Sequence, residues 1–122
     1  MITENRINIC LRTILSICQS PNIDQYLVGL TSLSSGKKGD QYRSNGFDNL
    51  VIIADKLSSQ DAKHLESRIQ AHIFGNVGTI LHRKYHKEKI AYGRIIPSAG
   101  GVTHDPASKK WSVYMAWWDR EI

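Results

Sequence analysis

The sequence has few cysteines and prolines, and it has no long apolar run. Its two cysteines, Cys10 and Cys18, fall in one expected helix, where their Cα atoms lie about 12 Å apart at 1.5 Å per residue. That separation is too large for a disulfide, so we expect reduced cysteines in a cytoplasmic protein. No apolar run approaches the roughly 20 residues of a membrane span. Residues 1–10 contain no cleavable hydrophobic segment, which disfavours secretion.

Several motifs that would identify a common enzyme class are also missing. The sequence contains no Walker loop, no Rossmann glycine pattern, no CxxC pair and no GxSxG elbow. No internal repeat or linker divides the chain. With 122 residues, 41% apolar and 22% charged, we expect one folded domain spanning residues 1–122.

Apolar periodicity and end signals predict the main elements. The strand that begins at Leu50 is a continuous apolar run, so we expect it to be central and buried on both faces. A short strand is expected over Val77–Leu81. The remaining predictions are an N-terminal helix within residues 1–20 that Thr3 caps and Pro21 ends, a strand over 26–31, a second strand over 50–57, a helix over 59–74 that Ser58 caps, and a C-terminal strand over 111–118.

Glu66 is the candidate functional carboxylate of the helix expected over 59–74. It lies at the edge of an apolar stripe at helical spacing, one turn from Ala62. A carboxylate beside a core stripe is costly unless it is paired, hydrated or bound to a cation. Two interpretations follow: Glu66 pairs in solvent with Gln70 or Arg68, or it is a metal ligand held over a cleft.

The cationic side chains are clustered, and the net charge is +5. A surface of this kind suits phosphate contacts, although solvated loop charges are the alternative. His82 and His86 have the spacing of two metal ligands on one helix face, but a zinc site is disfavoured because the neighbouring cations repel a divalent ion. The candidate nucleic-acid-binding residues are Lys37, Lys38, Arg43, Arg83, Lys84, Lys87, Lys89 and Arg94.

The C-terminal run WSVYMAWW alternates between two faces of a strand. Trp111, Val113, Met115 and Trp117 share one side, and Tyr114 lies on the other with Trp118. Aromatic residues this dense usually close a core. Tyr114 is the exception that we consider for function.

The central stretch runs from YLVGLT at 26–31, through Lys37, Lys38, Tyr42 and Arg43, to the strand over 50–55 and the helix segment AKHLE at 62–66. This order of residues resembles the second half of the GIY-YIG nuclease motif. The glycine pair at 100–101 also resembles the end of the family's pattern.

The resemblance implies an α+β fold in which a small, mainly antiparallel sheet is flanked by helices. It also implies a phosphodiester-cleaving site with a bound Mg²⁺ or Mn²⁺ ion. In such a site a tyrosine helps to activate water, a cation steadies the phosphate and Glu66 binds the metal. The candidate catalytic residues are Tyr26, Lys37, Tyr42, Arg43 and Tyr114.

The sequence departs from the family's pattern at three places. No GIY-like strand precedes Tyr26, Leu27 takes the usual position of the motif tyrosine, and Lys37 takes that of the arginine. Tyr26 should therefore point to the opposite face of its strand. Because Ser112-Val113-Tyr114 resembles the missing GIY, the C-terminal strand is expected to supply an edge strand by circular permutation, with Tyr114 beside Glu66.

Three functions are compatible with these residues. The leading one is a nucleic-acid-binding domain, chiefly for DNA but also compatible with RNA, that cleaves phosphodiester bonds with a divalent metal. The second is a catalytically inactive, nuclease-derived module that binds DNA or a protein. The third is an unrelated α+β interaction domain in which Glu66 and the aromatic residues only pack.

Overall fold

The protein has an α+β fold in which helices accompany a three-stranded antiparallel sheet. The computed structural model describes residues 2–32, 48–86 and 110–120, and the backbone of residues 90–91 and 94–95. The elements in chain order are α1 (Glu4–Cys18), β1 (Ile23–Thr31), β2 (Asn49–Leu57), α2 (Ser59–Gly75), α3 (Ile80–Lys84), β3 (Ile90–Ala91), β4 (Arg94–Ile95) and β5 (Trp111–Asp119).

Helix α1 begins where the sequence predicts. The side chain of Thr3 accepts a hydrogen bond from the backbone N–H of Arg6 at 3.2 Å, which satisfies one of the free amides at the helix start. The buried residues recur at helical spacing: Ile7, Cys10, Ile14 and Cys18. Both cysteines are free and buried, as predicted. The helix therefore contributes one apolar face to the core.

Helix α2 also has the predicted cap, because Ser58 accepts a hydrogen bond from the backbone N–H of Asp61 at 3.1 Å. Its fully buried stripe consists of Ala62, Leu65, Ile69 and Ile73. The short strand predicted over Val77–Leu81 is wrong. Gly78 adopts a positive φ of 91°, and the side chain of Thr79 then caps α3, so the chain turns into a helix there.

The three long strands are ordered β1-β5-β2, and both neighbours of β5 run antiparallel to it. The prediction that β2 is central is wrong, as is the prediction that the C-terminal strand lies at an edge. Five of the nine residues of β5 are buried and Asp119 alone is charged, whereas β2 carries the exposed pair Asp55 and Lys56 near its end. A strand apolar on both faces gains most from the central position.

Strand β2 is irregular near its end. Ala54 pairs with Val113 and Leu57 pairs with Trp111, so β2 has one residue more than β5 across this interval. Lys56 takes up the extra residue with a positive φ of 55°. This is a β-bulge, and bulges and exposed lysines at sheet edges discourage pairing with other strands.

The pairing of β1 with β5 assigns side chains to the two faces of the sheet. Tyr26 is opposite Trp117, and Gly29 is opposite Tyr114. Since opposed residues share a face and successive residues alternate, Tyr26 and Tyr114 lie on opposite faces. The predicted two sides of the C-terminal strand are therefore confirmed.

Polar contacts dock the helices on one another and on β1. The ammonium of Lys84 in α3 donates to the carbonyls of Cys18 and Ser20 at 2.8 and 2.9 Å, at the end of α1. Arg68 of α2 forms a two-pronged ion pair with Glu4 of α1. In the ranges that the structure describes, every helix is too short or too polar to cross a bilayer.

Candidate functional site

Glu66 is buried, with 4% of its surface exposed. The interpretation that it pairs with Arg68 or Gln70 in solvent is therefore wrong. Arg68 binds Glu4 instead, and this hydrogen bond lowers the pKa of the Glu4 carboxyl below its ordinary value. Gln70 donates to the backbone carbonyl of Val28 at 3.2 Å. Burial of a carboxylate is costly unless it is engaged, and Glu66 takes part in an interaction within the protein.

Gln70, one helical turn after Glu66, and Tyr85 both contact the outer edge of β1 at Val28. Val28 faces Met115 in a pair that leaves the Val28 N–H and C=O pointing away from β5. The hydroxyl of Tyr85 accepts from this N–H and donates to this C=O, both at 3.3 Å, and Gln70 donates to the same C=O. Glu66 precedes Gln70 by one helical turn and so lies on the same face of α2.

The sequence indicates Gln70 only as a possible partner of Glu66, because residues four apart share a helix face, and it does not indicate the contact of Gln70 with Val28. Tyr85 is not among the residues that the sequence singles out. Tyr85 gave no comparable signal, because its role depends on α3 returning the chain to β1. The backbone N–H of His86 donates to the carbonyl of Tyr26 at 2.7 Å and continues this contact along the strand.

Tyr114 lies at the middle of the central strand and is fully buried. It is directly opposite Gly29, on the face that also holds Leu27. The strand with the GIY-like segment SVY is therefore the immediate neighbour of the strand with YLVG. Helix α2, which carries Glu66, contacts both strands.

Tyr26 lies on the other face and is engaged in the core. Its hydroxyl donates to the carbonyl of Leu81 at 2.8 Å, and its ring meets Tyr85 edge to face with centroids 5.1 Å apart. Burial raises the pKa of Tyr26 far above its ordinary value of 10.0. Such a phenol keeps its proton at neutral pH and is closed to solvent, so its observed role is structural.

The cationic candidates and Tyr42 differ in what the structure describes of them. Lys84 is committed to the end of α1, where two backbone carbonyls hold its ammonium, so it does not face a phosphate as predicted. Arg83 is exposed on α3. Arg94 is described by its backbone in β4 alone. The candidates outside the described residues are Lys37, Lys38, Tyr42, Arg43, Lys87 and Lys89.

His82 and His86 do not share a helix face, because α3 ends at Lys84. The Nδ1 atom of His86 lies 2.8 Å from Oε1 of Gln25, and its ring lies 4.5 Å from that of Trp118 between centroids. The two-histidine spacing therefore has no metal-binding geometry in this structure.

Whether the protein can hold a divalent metal depends on the donor atoms that its side chains bring together. Within residues 2–32, 48–86 and 110–120, no three His, Cys, Asp or Glu side chains form a metal-binding group. Mg²⁺ commonly keeps several waters and binds through one or two carboxylates together with substrate phosphates. A single buried carboxylate such as Glu66 fits that mode of binding, with the substrate completing the coordination.

Comparisons with known proteins returned no relative. No protein-family model, no curated protein and no solved structure matches the chain.

Proposed function

We propose that this chain is a GIY-YIG-like nucleic-acid-binding domain that cleaves phosphodiester bonds with a divalent metal. The observation that carries the proposal is the direct pairing of Gly29 with Tyr114 in neighbouring strands. It joins the two motif fragments, which lie far apart in the sequence. The buried carboxylate of Glu66, on a helix that contacts both strands, supports the same interpretation.

In this proposal each residue has a limited role. Tyr114 takes the position of the motif tyrosine, where its full burial keeps its hydroxyl away from bulk water, and Glu66 would hold Mg²⁺ or Mn²⁺. Lys37, Lys38, Tyr42 and Arg43 contact the phosphate from the connector between β1 and β2. The metal, when bound, offsets the negative charge that develops on the phosphoryl oxygens. Cationic side chains aimed at the same oxygens act in the same direction.

The test is a nicking assay with supercoiled and single-stranded DNA, with and without Mn²⁺. Glu66→Gln keeps the side-chain shape and removes the charge, so we expect the nicking rate to fall about 100-fold or more. The matched control is Asp24→Asn, which makes the same charge change on an exposed carboxylate of β1 and should leave the rate unchanged. Nicking that persists in Glu66→Gln, or in excess chelator, contradicts the proposal.

A second function is a catalytically inactive module that binds DNA or a protein. The specific observation in its favour is at the motif tyrosine: Leu27 occupies that position, and the adjacent Tyr26 donates to Leu81 on the other face. This module would bind DNA without turnover, and its affinity would fall steeply with salt as counterions return to the phosphates.

The binding mode is tested by the salt dependence of affinity. Each lysine that contacts a phosphate adds about 1 to the slope of log affinity against log salt. We expect Lys37→Ala and Lys38→Ala each to lower that slope, whereas Lys63→Ala, an exposed lysine on α2, should not. Equal slopes in all three variants contradict a phosphate contact at the connector.

A further inference from the structure

One aromatic cluster of the sheet is not used by the proposed cleavage site. It consists of Trp118 at the end of β5, the imidazole of His86 after α3, and Gln25 on β1. Trp118 and His86 are each partly exposed. We call these three residues the Trp118 cluster.

The cluster is held in one arrangement by the fold. Trp118 is opposite Gln25 in the pairing of β1 with β5, and the Gln25 side chain lies 2.8 Å from the His86 ring. The His86 backbone is tied to Tyr26 at 2.7 Å. The two rings are tilted at 42°, with centroids 4.5 Å apart. Ordered rings of this kind lose little conformational entropy when a flat ligand stacks on them.

The cluster lies on the same face of the sheet as Tyr114. Residues 114, 116 and 118 of β5 alternate to one side, the side of Tyr114 and Gly29. Four residues of strand separate Tyr114 from Trp118 by about 13 Å. Tyr114 is fully buried, so the partly exposed Trp118 is the ring of the two that a nucleic-acid strand can contact.

Charge around the cluster is divided between its two sides. On the β2 side, the Asp119 carboxylate accepts both hydrogen bonds of the Asn49 amide, and Asp48 accepts from the Asp119 N–H. On the α3 side, Arg83 is exposed three residues before His86. A phosphate is repelled from the first side and attracted to the second, so a nucleotide would place its base on the rings and its backbone toward α3.

We propose that the Trp118 cluster stacks a nucleobase of a single-stranded segment, so that the domain prefers single-stranded or frayed nucleic acid to a continuous duplex. The inference rests on the proposed nucleic-acid-binding function and adds the class of substrate. Stacking on an aromatic ring requires an unpaired, accessible base face, and it tolerates any base sequence. Inside a duplex both faces of each base are already stacked.

The test measures binding without metal, so that cleavage cannot occur. A labelled oligothymidine and a blunt duplex of equal length are titrated with the full chain in excess chelator, and anisotropy is recorded. Loss of one stacked base weakens single-strand binding by about 5- to 150-fold, and we expect this in Trp118→Ala with duplex binding unchanged. Trp118→Phe keeps a ring and should restore most of the affinity.

Trp117→Ala is the matched control. It removes the same side chain from the next residue of the same strand, which is partly exposed on the opposite face, so single-strand binding should hardly change. Equal losses in Trp117→Ala and Trp118→Ala, equal losses for single strand and duplex, or no rescue by Trp118→Phe overturn the proposal. Circular dichroism identifies a variant that has lost its fold, and Trp118→Phe then decides the question.

The outcome also separates this inference from the proposed cleavage. If nicking depends on Glu66 but Trp118→Ala binds both nucleic acids normally, only the stacking proposal fails. If Trp118→Ala selectively loses the single strand while no variant nicks DNA, stacking stands and cleavage fails. If the wild-type chain binds neither nucleic acid, both fail.

Discussion

Tyr26→Phe tests the conclusion that Tyr26 is a buried structural donor. The substitution removes one oxygen, whose proton is donated to the Leu81 carbonyl at 2.8 Å. Net loss of a hydrogen bond costs about 0.5–1.5 kcal/mol, and a buried acceptor left unpaired costs about 1–3 kcal/mol. We expect the free energy of unfolding at pH 7 to fall by about 1–3 kcal/mol, measured by urea denaturation.

The pH dependence of the difference in free energy of unfolding between the wild type and Tyr26→Phe tests the burial of Tyr26 more directly. Burial raises the pKa of Tyr26 above its ordinary value of 10.0, so above that pH the unfolded chain releases this proton and the folded chain retains it. The wild type therefore loses up to about 1.4 kcal/mol of stability per pH unit above about pH 10 through this group. Tyr26→Phe has no such loss, so the difference between the two proteins should shrink by about 1.4 kcal/mol at pH 11.

Ile73→Val is the control for this experiment. Ile73 is fully buried and does not ionise, so its substitution should cost about 0.5–1.5 kcal/mol at every pH. If the deficit of Tyr26→Phe stays constant from pH 7 to pH 11, as in this control, then the Tyr26 hydroxyl ionises as readily in the folded chain as in the unfolded one. That result would refute the burial argument.

Three further predictions concern single residues. Burial raises the pKa of the Cys18 thiol to about 12, so Cys18 should not react with a thiol reagent at pH 8 until the chain is unfolded; rapid labelling of the folded protein contradicts this. Lys56→Gly should raise the free energy of unfolding by about 1 kcal/mol, because glycine adopts a positive φ without strain. Lys56→Val should lower the free energy of unfolding. If urea denaturation gives the reverse order of stability, the bulge is not strained at Lys56. Lys84→Met should lower the free energy of unfolding by about 1–2 kcal/mol, because two backbone carbonyls at the end of α1 lose a charged hydrogen-bond donor. An unchanged melting temperature would show that water replaces the ammonium group without loss of stability.

Local signals in the sequence predicted the elements well where one residue type decides the outcome. Thr3 and Ser58 cap the helices that they were expected to cap, and the alternation of the C-terminal run predicted which tryptophans share a face. These features depend on hydrogen bonds and side-chain periods within a few residues. They are therefore readable from the chain alone.

Local sequence signals did not predict the order of the strands in the sheet. The run at Leu50 and the run at Trp111 are both apolar enough for a central position, and only their pairing distinguishes them. The environment of Glu66 was likewise undecided, because helical spacing places it at the edge of a stripe without saying whether that edge is covered. The contacts of Gln70 and Tyr85 with Val28 depend on three separate elements meeting, which no local pattern encodes.

The position of β5 has a consequence for how the chain folds. Strands β1 and β2 each pair with β5 and not with each other, so within the described residues their ladders of backbone hydrogen bonds form only when residues 111–119 arrive. Pairing across such long stretches of sequence makes folding slow, because the chain loses the entropy of loop closure before the strand contacts that offset it have formed. A nascent chain halted before Trp111 would carry two unsatisfied apolar strands. Until residues 111–119 are synthesised, the helices or a chaperone would have to keep these strands from aggregating.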